Sequence, residues 1–333
     1  MISNINKGVA NLFIITVHIS ILLFILLLFG CAKAKIEDIK ETDPAALVNQ
    51  GTVFSKKGQY DRAIAIFNKA IDINPRYASA YDTRGRAYHH KSQYDNAISD
   101  YNSAIEINPN FAEAYSHRGT AYYFKNQYDR AISDFSKAIE INPTYAQAYK
   151  NRGVAYSCKG QYDQVISDFN KYLEIVTKPT DSCAHSIRGF AYLAKKHYEE
   201  ALSDFNKAIE INPGDAATYH NRGIAYLNKS QLDNAISDYN KAIEINPGLA
   251  NVYYNRAEAY SIKGQYDEAI SDYTMVIEMN PEDTQAYIRR ASAYSKIDRW
   301  DKVCSDWKRS CDLGDCKKYN GANRICSRKY PNH

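Results

Sequence analysis

One phrase of eighteen residues recurs along the chain at a fixed interval. It reads GQYDRAIAIFNKAIDINP at residues 58–75 and SQYDNAISDYNSAIEINP at residues 92–109, thirty-four positions later. The recurrence defines eight units, which start thirty-four residues apart except for one step of thirty-six. The units begin at Pro44, Ala78, Ala112, Ala146, Ser182, Ala216, Ala250 and Thr284. A period of this length indicates a repeat protein assembled from one kind of supersecondary unit, and not two ordinary globular domains.

Each unit is predicted to contain two α-helices joined by a tight turn, because its apolar and small residues recur twice at helical spacing. In the second unit these residues are Tyr81, Gly85 and Tyr88, followed by Tyr94, Ala97, Tyr101 and Ala104. Gly58 and Asn126 stand at the turns of their units, where left-handed backbone geometry is needed. The Asn-Pro pair then ends the second helix, since proline disfavours a helical residue before it. No single helix pair can bury its apolar face, so neighbouring units are expected to stack into a solenoid.

This pattern resembles the tetratricopeptide repeat family, and the resemblance extends from residue 44 to about residue 313. It implies an all-α fold, a right-handed αα superhelical solenoid of about eight helix-turn-helix units. The predicted segments are units one to four at 44–179, an irregular insertion at 180–181, units five to eight at 182–313, and a cysteine-containing cap with a basic tail at 314–333. Val165 and Tyr172 replace small residues in the fourth unit. Together with the insertion, they favour a local irregularity or bend that would divide the array into two stacks.

An arginine in the first helix is accompanied, in seven of the eight units, by an aspartate sixteen residues later. The pairs are Arg84/Asp100, Arg118/Asp134, Arg152/Asp168, Arg188/Asp204, Arg222/Asp238, Arg256/Asp272 and Arg290/Asp306. The first unit lacks both residues and has Gln50 and Ile66 in their places. This co-occurrence leads to the hypothesis of a repeated ion pair between the two helices of a unit, with a structural role.

The residues that change from unit to unit lie on one face of the first helix, at positions two, five, six, nine, twelve and thirteen. The family resemblance implies that this face lines a concave groove that binds partner proteins or peptides. The candidate groove residues are Arg86, His89, Tyr123, Lys150, Val154, Phe190, Leu193, His220, Ile224, Leu227, Tyr254 and Glu258. Lys150 matches the first lysine of the family's clamp for chaperone carboxyl termini. Val154 stands where that clamp requires asparagine, so the clamp is predicted to be absent.

Five of the candidates form an apolar strip in the middle of the array, namely Val154, Phe190, Leu193, Ile224 and Leu227. A contiguous apolar strip on a soluble surface marks an interaction site. Two alternatives remain open from the sequence. Neighbouring helices could cover these side chains in part, or a second copy of the chain could pair with them.

The first thirty residues differ from the rest of the chain. From residue 9 to residue 29 they contain no charge, as in an export signal or a membrane anchor. The run ends in LFGC at residues 28–31, which resembles the lipobox of bacterial lipoproteins, although Phe29 is bulkier than the usual occupant. This resemblance implies a lipid on Cys31 and a place in the cell envelope, on the periplasmic or outer-surface side of a bacterial membrane. An uncleaved single-pass helix is the alternative. A charged spacer at 31–43 would hold the repeats near the bilayer.

Four of the seven cysteines cluster near the carboxyl end, which in an exported protein indicates two disulfides. They are Cys304, Cys311, Cys316 and Cys326, and three connectivities are open. Gly314 makes the pair Cys311–Cys316 easy to close. A zinc site ranks below this prediction, because the cluster contains no Cys-x-x-Cys pair. Cys158 and Cys183 are predicted to be packing residues, too far apart to pair.

Composition and motifs argue against several function classes. The net charge of +4 comes from interleaved acids and bases, and not from the basic stripe that binds nucleic acid. The eight histidines are scattered, and the sequence has no catalytic-triad order, phosphate-binding loop or zinc-protease motif. No metal, cofactor or small-molecule substrate is therefore expected.

The sequence favours a non-catalytic, membrane-tethered scaffold. Resemblance to other repeat-bearing lipoproteins implies a role in assembling envelope complexes. The alternatives are an accessory subunit that positions an envelope enzyme and a single-span membrane-anchored adaptor.

Overall fold

The computed structural model describes residues 42–176, 180–316 and 326, and within them sixteen helices form eight consecutive pairs without any strand. The helices are α1 (Pro44–Lys56), α2 (Tyr60–Ile73), α3 (Ala78–His90), α4 (Tyr94–Ile107), α5 (Ala112–Phe124), α6 (Tyr128–Ile141), α7 (Ala146–Cys158), α8 (Tyr162–Ile175), α9 (Ser182–Ala194), α10 (Tyr198–Ile211), α11 (Ala216–Asn228), α12 (Leu232–Ile245), α13 (Ala250–Lys263), α14 (Tyr266–Met279), α15 (Thr284–Lys296) and α16 (Trp300–Asp312). Every odd-numbered helix begins at the predicted first residue of a unit. The predicted all-α class and the eight helix-turn-helix units are confirmed.

The chain divides into two compact bodies. The first body ends at Ala148 and the second begins at Tyr149, within α7. This boundary lies in the fourth unit, upstream of the insertion predicted at 180–181. Units one to three therefore belong to the first body, and units five to eight to the second.

A glycine opposite an aromatic ring brings the two helices of a unit into direct contact. In the second unit, a Cβ atom added to Gly85 would lie 2.7 Å from Cε1 of Tyr101. In the fifth unit, a Cβ atom on Gly189 would lie 2.9 Å from Cε1 of Phe205. Both rings are fully buried. The aromatic ring thus fills the space that a larger residue in the first helix would occupy.

The turns between the helices have the left-handed backbone that the sequence predicts. Ser92 has a φ of 59° and Asn126 a φ of 58°, at the position where the first unit has Gly58. One left-handed residue after the first helix ends its hydrogen-bonded ladder and reverses the chain.

Small residues let consecutive units pack together. In the first body, Ala80 and Ala87 of α3 belong to the same buried cluster as Phe67 and Ala70 of α2. In the second body, Val252 of α13 and its neighbours join a cluster that begins in α11 and α12. Each cluster joins residues of adjacent units, so the core of each body continues from one unit to the next, as expected of stacked repeats.

The hypothesised ion pair is present in all seven units. In the sixth, Arg222 Nε and Nη2 donate to the two carboxylate oxygens of Asp238, at 2.8 and 2.6 Å. Arg222 Nη1 donates to Asn206 Oδ1 of the preceding unit, at 2.7 Å. The same two-pronged pair occurs at Arg84/Asp100, Arg118/Asp134, Arg152/Asp168, Arg188/Asp204, Arg256/Asp272 and Arg290/Asp306. Such charge-assisted pairs fix the relative position of the two helices.

The fifth unit modifies this pair with a histidine. His185 replaces a tyrosine found in six other units, and its Nδ1 lies 3.1 Å from Asp204 Oδ1, beside Arg188. Burial would raise the pKa of Asp204, but hydrogen bonds from Arg188 and His185 outweigh it and lower the pKa. At Asp168, which has no histidine, burial prevails over the arginine and raises the pKa. Charged Asp204 therefore stabilises the fold above the ordinary carboxyl pKa, and this contribution is lost as the pH falls through the lowered value.

The insertion in the fourth unit carries its own polar contacts. Asp181 is the N-cap of α9 and accepts a hydrogen bond from the Ala184 amide at 3.2 Å. Lys150 Nζ donates to the Asp181 carboxylate at 2.5 Å, and the Tyr172 hydroxyl donates to it at 2.8 Å. Burial, together with the hydrogen bond to Asp181, raises the pKa of Tyr172 to about 12. The bulky Tyr172 is thus accommodated by the residue that the insertion supplies.

Two disulfides close the carboxyl end, as predicted. Cys304 pairs with Cys326 at a Cα–Cα distance of 5.5 Å, and Cys311 pairs with Cys316 at 4.0 Å. Trp307 packs against the first of these bridges.

The interpretation of Cys158 and Cys183 as packing residues is wrong, because both are exposed. Cys158 is the last residue of α7, and Cys183 is the second residue of α9.

Candidate partner-binding faces

The first helices divide their residues between packing and surface. The repeated glycines, arginines and small residues take part in the contacts described above. Residues at positions two, six, nine, twelve and thirteen are half-buried or exposed in every unit. Position five is different, since it is buried in four units, at Val48, Asp82, Ser116 and Ile288. The prediction that position five belongs to the variable surface is wrong in those units. For Asp82 the reason is visible, because His117 of the next unit lies against it.

Two adjacent clefts lie on this face of the first body and share Arg86 and His90 as a common wall. The first cleft has a volume of about 110 Å³ and the second about 190 Å³. The cationic and imidazole side chains that line them are Lys56, Arg86, His89, His90 and His117, and we call this set the basic groove. The structure thus brings the predicted residues Arg86 and His89 into one site.

The imidazoles of the basic groove are held in place by their neighbours. His117 Nδ1 lies 2.7 Å from Oδ1 of buried Asp82, and the His90 ring stacks on Tyr60 at a centroid distance of 5.2 Å. Burial, followed by the nearby His90 and His117, lowers the pKa of His89. The His89 side chain is therefore neutral at neutral pH.

Predicted residue Tyr123 belongs to an aromatic cluster at the edge of the same face. Phe124 stacks on Tyr94 with centroids 5.6 Å apart and meets His89 edge-on at 5.2 Å. Tyr123 contacts both Phe124 and Tyr128. Since Phe124 is 53% exposed, part of this aromatic cluster lies open beside the basic groove.

In the second body, predicted residue Lys150 is engaged within the chain. Besides its ion pair with Asp181, its ammonium lies 5.7 Å from the ring centroid of Tyr172. The positive charge is thus already balanced, and Lys150 fastens α7 to the start of α9 instead of facing a partner's carboxylate.

The apolar strip is partly covered by neighbouring helices. Leu193 packs against the cluster that contains Phe205, and Ile224 and Leu227 pack against the cluster that contains Tyr239. Val154 is half-buried. Phe190 is the most open member of the strip, with 39% of its surface exposed. The alternative that neighbouring helices cover these side chains therefore holds in part, and Phe190 is the most accessible residue of the strip.

The remaining predicted residues form polar contacts between units. His220 Nε2 and Asn255 Nδ2 are 2.8 Å apart, and burial lowers the pKa of His220. Arg289 Nε donates to the Tyr254 hydroxyl at 3.3 Å, and the Arg289 guanidinium lies 3.5 Å from Glu258. The first two contacts join residues thirty-five positions apart and the third joins residues thirty-one apart, so each contact links one unit to the next.

Sequence reasoning missed five residues of these faces, namely Lys56, His90, His117, Asn255 and Arg289. They occupy positions six and thirteen, which were assigned to the variable face but from which no candidate was chosen. Position six faces position five of the preceding unit, as the Asp82–His117 contact shows. Comparing those two positions across units would have found His117.

The described residues offer no sign of bound-metal chemistry or a membrane span. Among them, no group of three or more His, Cys, Asp or Glu side chains is close enough to hold a metal ion. In the same part of the chain, no helix combines the length and apolar character that crossing a bilayer requires. Cys31, the apolar run at 1–30 and most of the spacer lie outside the described residues, so lipid attachment and export stay predictions.

Solved structures of repeat proteins resemble this chain. The structure of YrrB, described as a TPR protein with an unusual peptide-binding site, is 25% identical and has a TM-score of 0.50, with 56% of this chain and 95% of YrrB covered. The C-terminal part of a TPR repeat-containing protein from Cytophaga hutchinsonii is 23% identical, with a TM-score of 0.58 over 73% of this chain and 98% of the other. A tetratricopeptide repeat protein from Parabacteroides merdae is 20% identical, with a TM-score of 0.52 over 75% of this chain and 98% of the other. No curated protein matches the sequence.

Family models match more than half of the chain. Models described as TPR repeat or tetratricopeptide repeat together span residues 51–166 and 189–283. The matched segments coincide with the helix pairs and with the glycine–aromatic contacts that hold them together. The chain belongs to the tetratricopeptide repeat family, whose fold is typical of scaffolds for protein–protein interaction.

Proposed function

We propose that this chain is a non-catalytic scaffold that holds partner proteins by binding peptide segments on the variable faces of its first helices. One observation carries the proposal. The residues that repeat are used in packing, whereas positions nine, twelve and thirteen stay at the surface and differ in chemistry from unit to unit. The likeness to the structure of YrrB, which is described as having a peptide-binding site, supports the same use of the fold.

The proposal includes attachment to a bacterial membrane through a lipid on Cys31, and a role in assembling envelope complexes. Its support is the sequence LFGC at the end of the apolar run. In cells fed an alkyne-tagged palmitate, the full chain should take up the label and Cys31→Ala should not. Cys183→Ala, which alters an exposed cysteine of the second body, should keep the label. Label on Cys31→Ala would contradict lipid attachment at this residue, and a wild-type chain without label would favour an uncleaved helix.

Phe190 is the residue on which we expect binding to the second body to depend. Peptides selected from a random displayed library against the full chain in detergent would supply the ligands. Phe190→Glu should lower the affinity for at least one class of these peptides by more than about tenfold. An apolar anchor that is buried on binding contributes roughly 1.5–3 kcal/mol. Fluorescence anisotropy with labelled peptides measures the change.

Met279→Glu is the matched control. Met279 has almost the same exposure as Phe190, 38% against 39%, but lies at the end of the second helix α14. This variant should bind every selected peptide like the wild type, and circular dichroism should show equal helicity for all three proteins. Equal affinity of Phe190→Glu and the wild type for all peptides would move the site away from the apolar strip.

A further inference from the structure

The basic groove carries positive charge that the chain does not neutralise. Arg84 is paired with Asp100, and Lys91 is paired with Asp61. Arg86 and Lys56, by contrast, form no ion pair with any residue in the described ranges, and no carboxylate lines either cleft. A groove with unbalanced cations in a concave surface attracts anionic groups.

Asp82, an acid beside the groove, is held below its surface. Asp82 is only 4% exposed, and its Oδ1 atom contacts His117 Nδ1. This contact orients the His117 ring within the second cleft. It also keeps the Asp82 carboxylate from reaching the open side of the groove, where Arg86 lies exposed.

Each cleft also contains a polar atom that is shut off from solvent and has no partner among the described residues. In the first cleft this atom is Ser55 Oγ, and in the second it is His89 Nε2. Buried polar atoms are nearly always hydrogen-bonded in native proteins. Both groups can donate a hydrogen bond, the serine through its hydroxyl and the histidine in the tautomer that carries its proton on Nε2. Rotation of each side chain toward the opening of its cleft would let an acceptor seated there bond to the serine hydroxyl or to the imidazole N–H.

The volumes of the two clefts fit small acceptors. The first cleft, at about 110 Å³, is well above the smallest space that holds one water, and it has room for a methylene with its carboxylate. The second cleft, at about 190 Å³, has room for a longer side chain such as glutamate. Arg86 stands in the wall between the clefts, where its planar guanidinium can donate to a carboxylate through two parallel hydrogen bonds.

We propose that the basic groove binds an extended segment of a partner protein that carries at least two acidic side chains, one for each cleft, with Arg86 between them. This inference rests on the proposed function of the first-helix faces, but it concerns the first body and not the apolar strip.

A labelled decapeptide of alternating glutamate and serine is the probe, compared with the same peptide carrying glutamine. By fluorescence anisotropy at pH 7.5 and low salt, the full chain should bind the glutamate peptide and show little affinity for the glutamine peptide. Arg86→Gln should lower the affinity for the glutamate peptide about tenfold, since hydrogen bonds to charged groups are about twice as strong as neutral ones. Arg76→Gln removes the same charge from an exposed arginine outside the clefts and should leave the affinity unchanged.

Three results would overturn this inference. The first is equal affinity for the two peptides, and the second is equal affinity of Arg86→Gln and the wild type. The third is tighter binding of a single-stranded oligonucleotide of equal charge, which would make the groove a nucleic-acid site. Phe190→Glu should not change binding of the glutamate peptide. The chain could fail to bind the glutamate peptide and still capture peptides whose binding depends on Phe190. That result would refute the acidic partner segment but would leave the proposed scaffold function standing.

Discussion

Replacing Phe205 with alanine should destabilise the second body by about 3–5 kcal/mol, the usual cost of emptying a buried aromatic site. Phe205 is fully buried and lies against the backbone of Gly189. Its other neighbours include Ala201 and Ala225. Glycine and alanine have no side-chain torsions with which to move into the vacated space. Leu202 and Leu193 of the same cluster can move and fill the cavity only in part, so the loss should lie within this range.

Phe190→Ala is the control for this substitution, because it removes the same ring from a site that is 39% exposed. Chemical unfolding of the full chain, followed by circular dichroism, should show a much smaller shift of the midpoint for Phe190→Ala than for Phe205→Ala. Repeat arrays can unfold in parts, so hydrogen exchange of the amides in α9 and α10 should accompany the melt. Equal losses for the two variants would show that the glycine–aromatic contact does not form the core of the unit.

The architecture could be predicted because its signals are local. The turn glycine, the Asn-Pro stop and the tyrosine spacing all lie within one unit, and together they fix where each helix begins. The Arg222–Asp238 pair was also accessible, because both residues recur in register in seven units and are absent together from the first. Repetition supplies an internal comparison that a single domain does not offer.

The candidate faces were harder to predict, because they depend on how far the next unit covers each helix. Helical periodicity places Asp82 and Lys150 on the variable face, yet Asp82 meets His117 and Lys150 meets Asp181. His117 comes from the following unit, and Asp181 comes from the insertion directly before the following unit. Their contacts follow from the stacking geometry, which spacing within one helix does not encode. Leu227 is partly covered by the neighbouring cluster, and this burial also follows from the stacking geometry.

Asp238→Ala should cost the second body about 3–5 kcal/mol, because it leaves a largely buried guanidinium without its partner. The Arg222 side chain is 17% exposed and that of Asp238 is 7% exposed. Burial would lower the pKa of Arg222, but the hydrogen bonds with Asp238 outweigh it and raise the pKa. The favourable contact thus exceeds the cost of removing the arginine from water, and its loss should be felt in full.

The pair should also show coupling. Arg222→Ala leaves the Asp238 carboxylate buried and alone, so each single variant carries the penalty of one stranded charge, whereas the double variant carries neither. The double variant should therefore lose less than the sum of the two, by about 1–3 kcal/mol in unfolding free energy. Lys241 and Glu244 form an exposed pair on the same helix, α12, and the equivalent cycle there should show no measurable coupling.

Additive losses at Arg222 and Asp238 would mean that the two charges are adjacent without depending on each other, so the glycine–aromatic contact alone would set the distance between the helices. Measured coupling between Arg222 and Asp238 would give this ion pair a second role, which is to relate one unit to the next. Since Arg222 also donates to Asn206 of the preceding unit, a fixed guanidinium relates one unit to the next. The angle between neighbouring first helices, and hence the arrangement of the variable face, would then depend on Arg222. This arginine would influence the binding of a partner protein without contacting it.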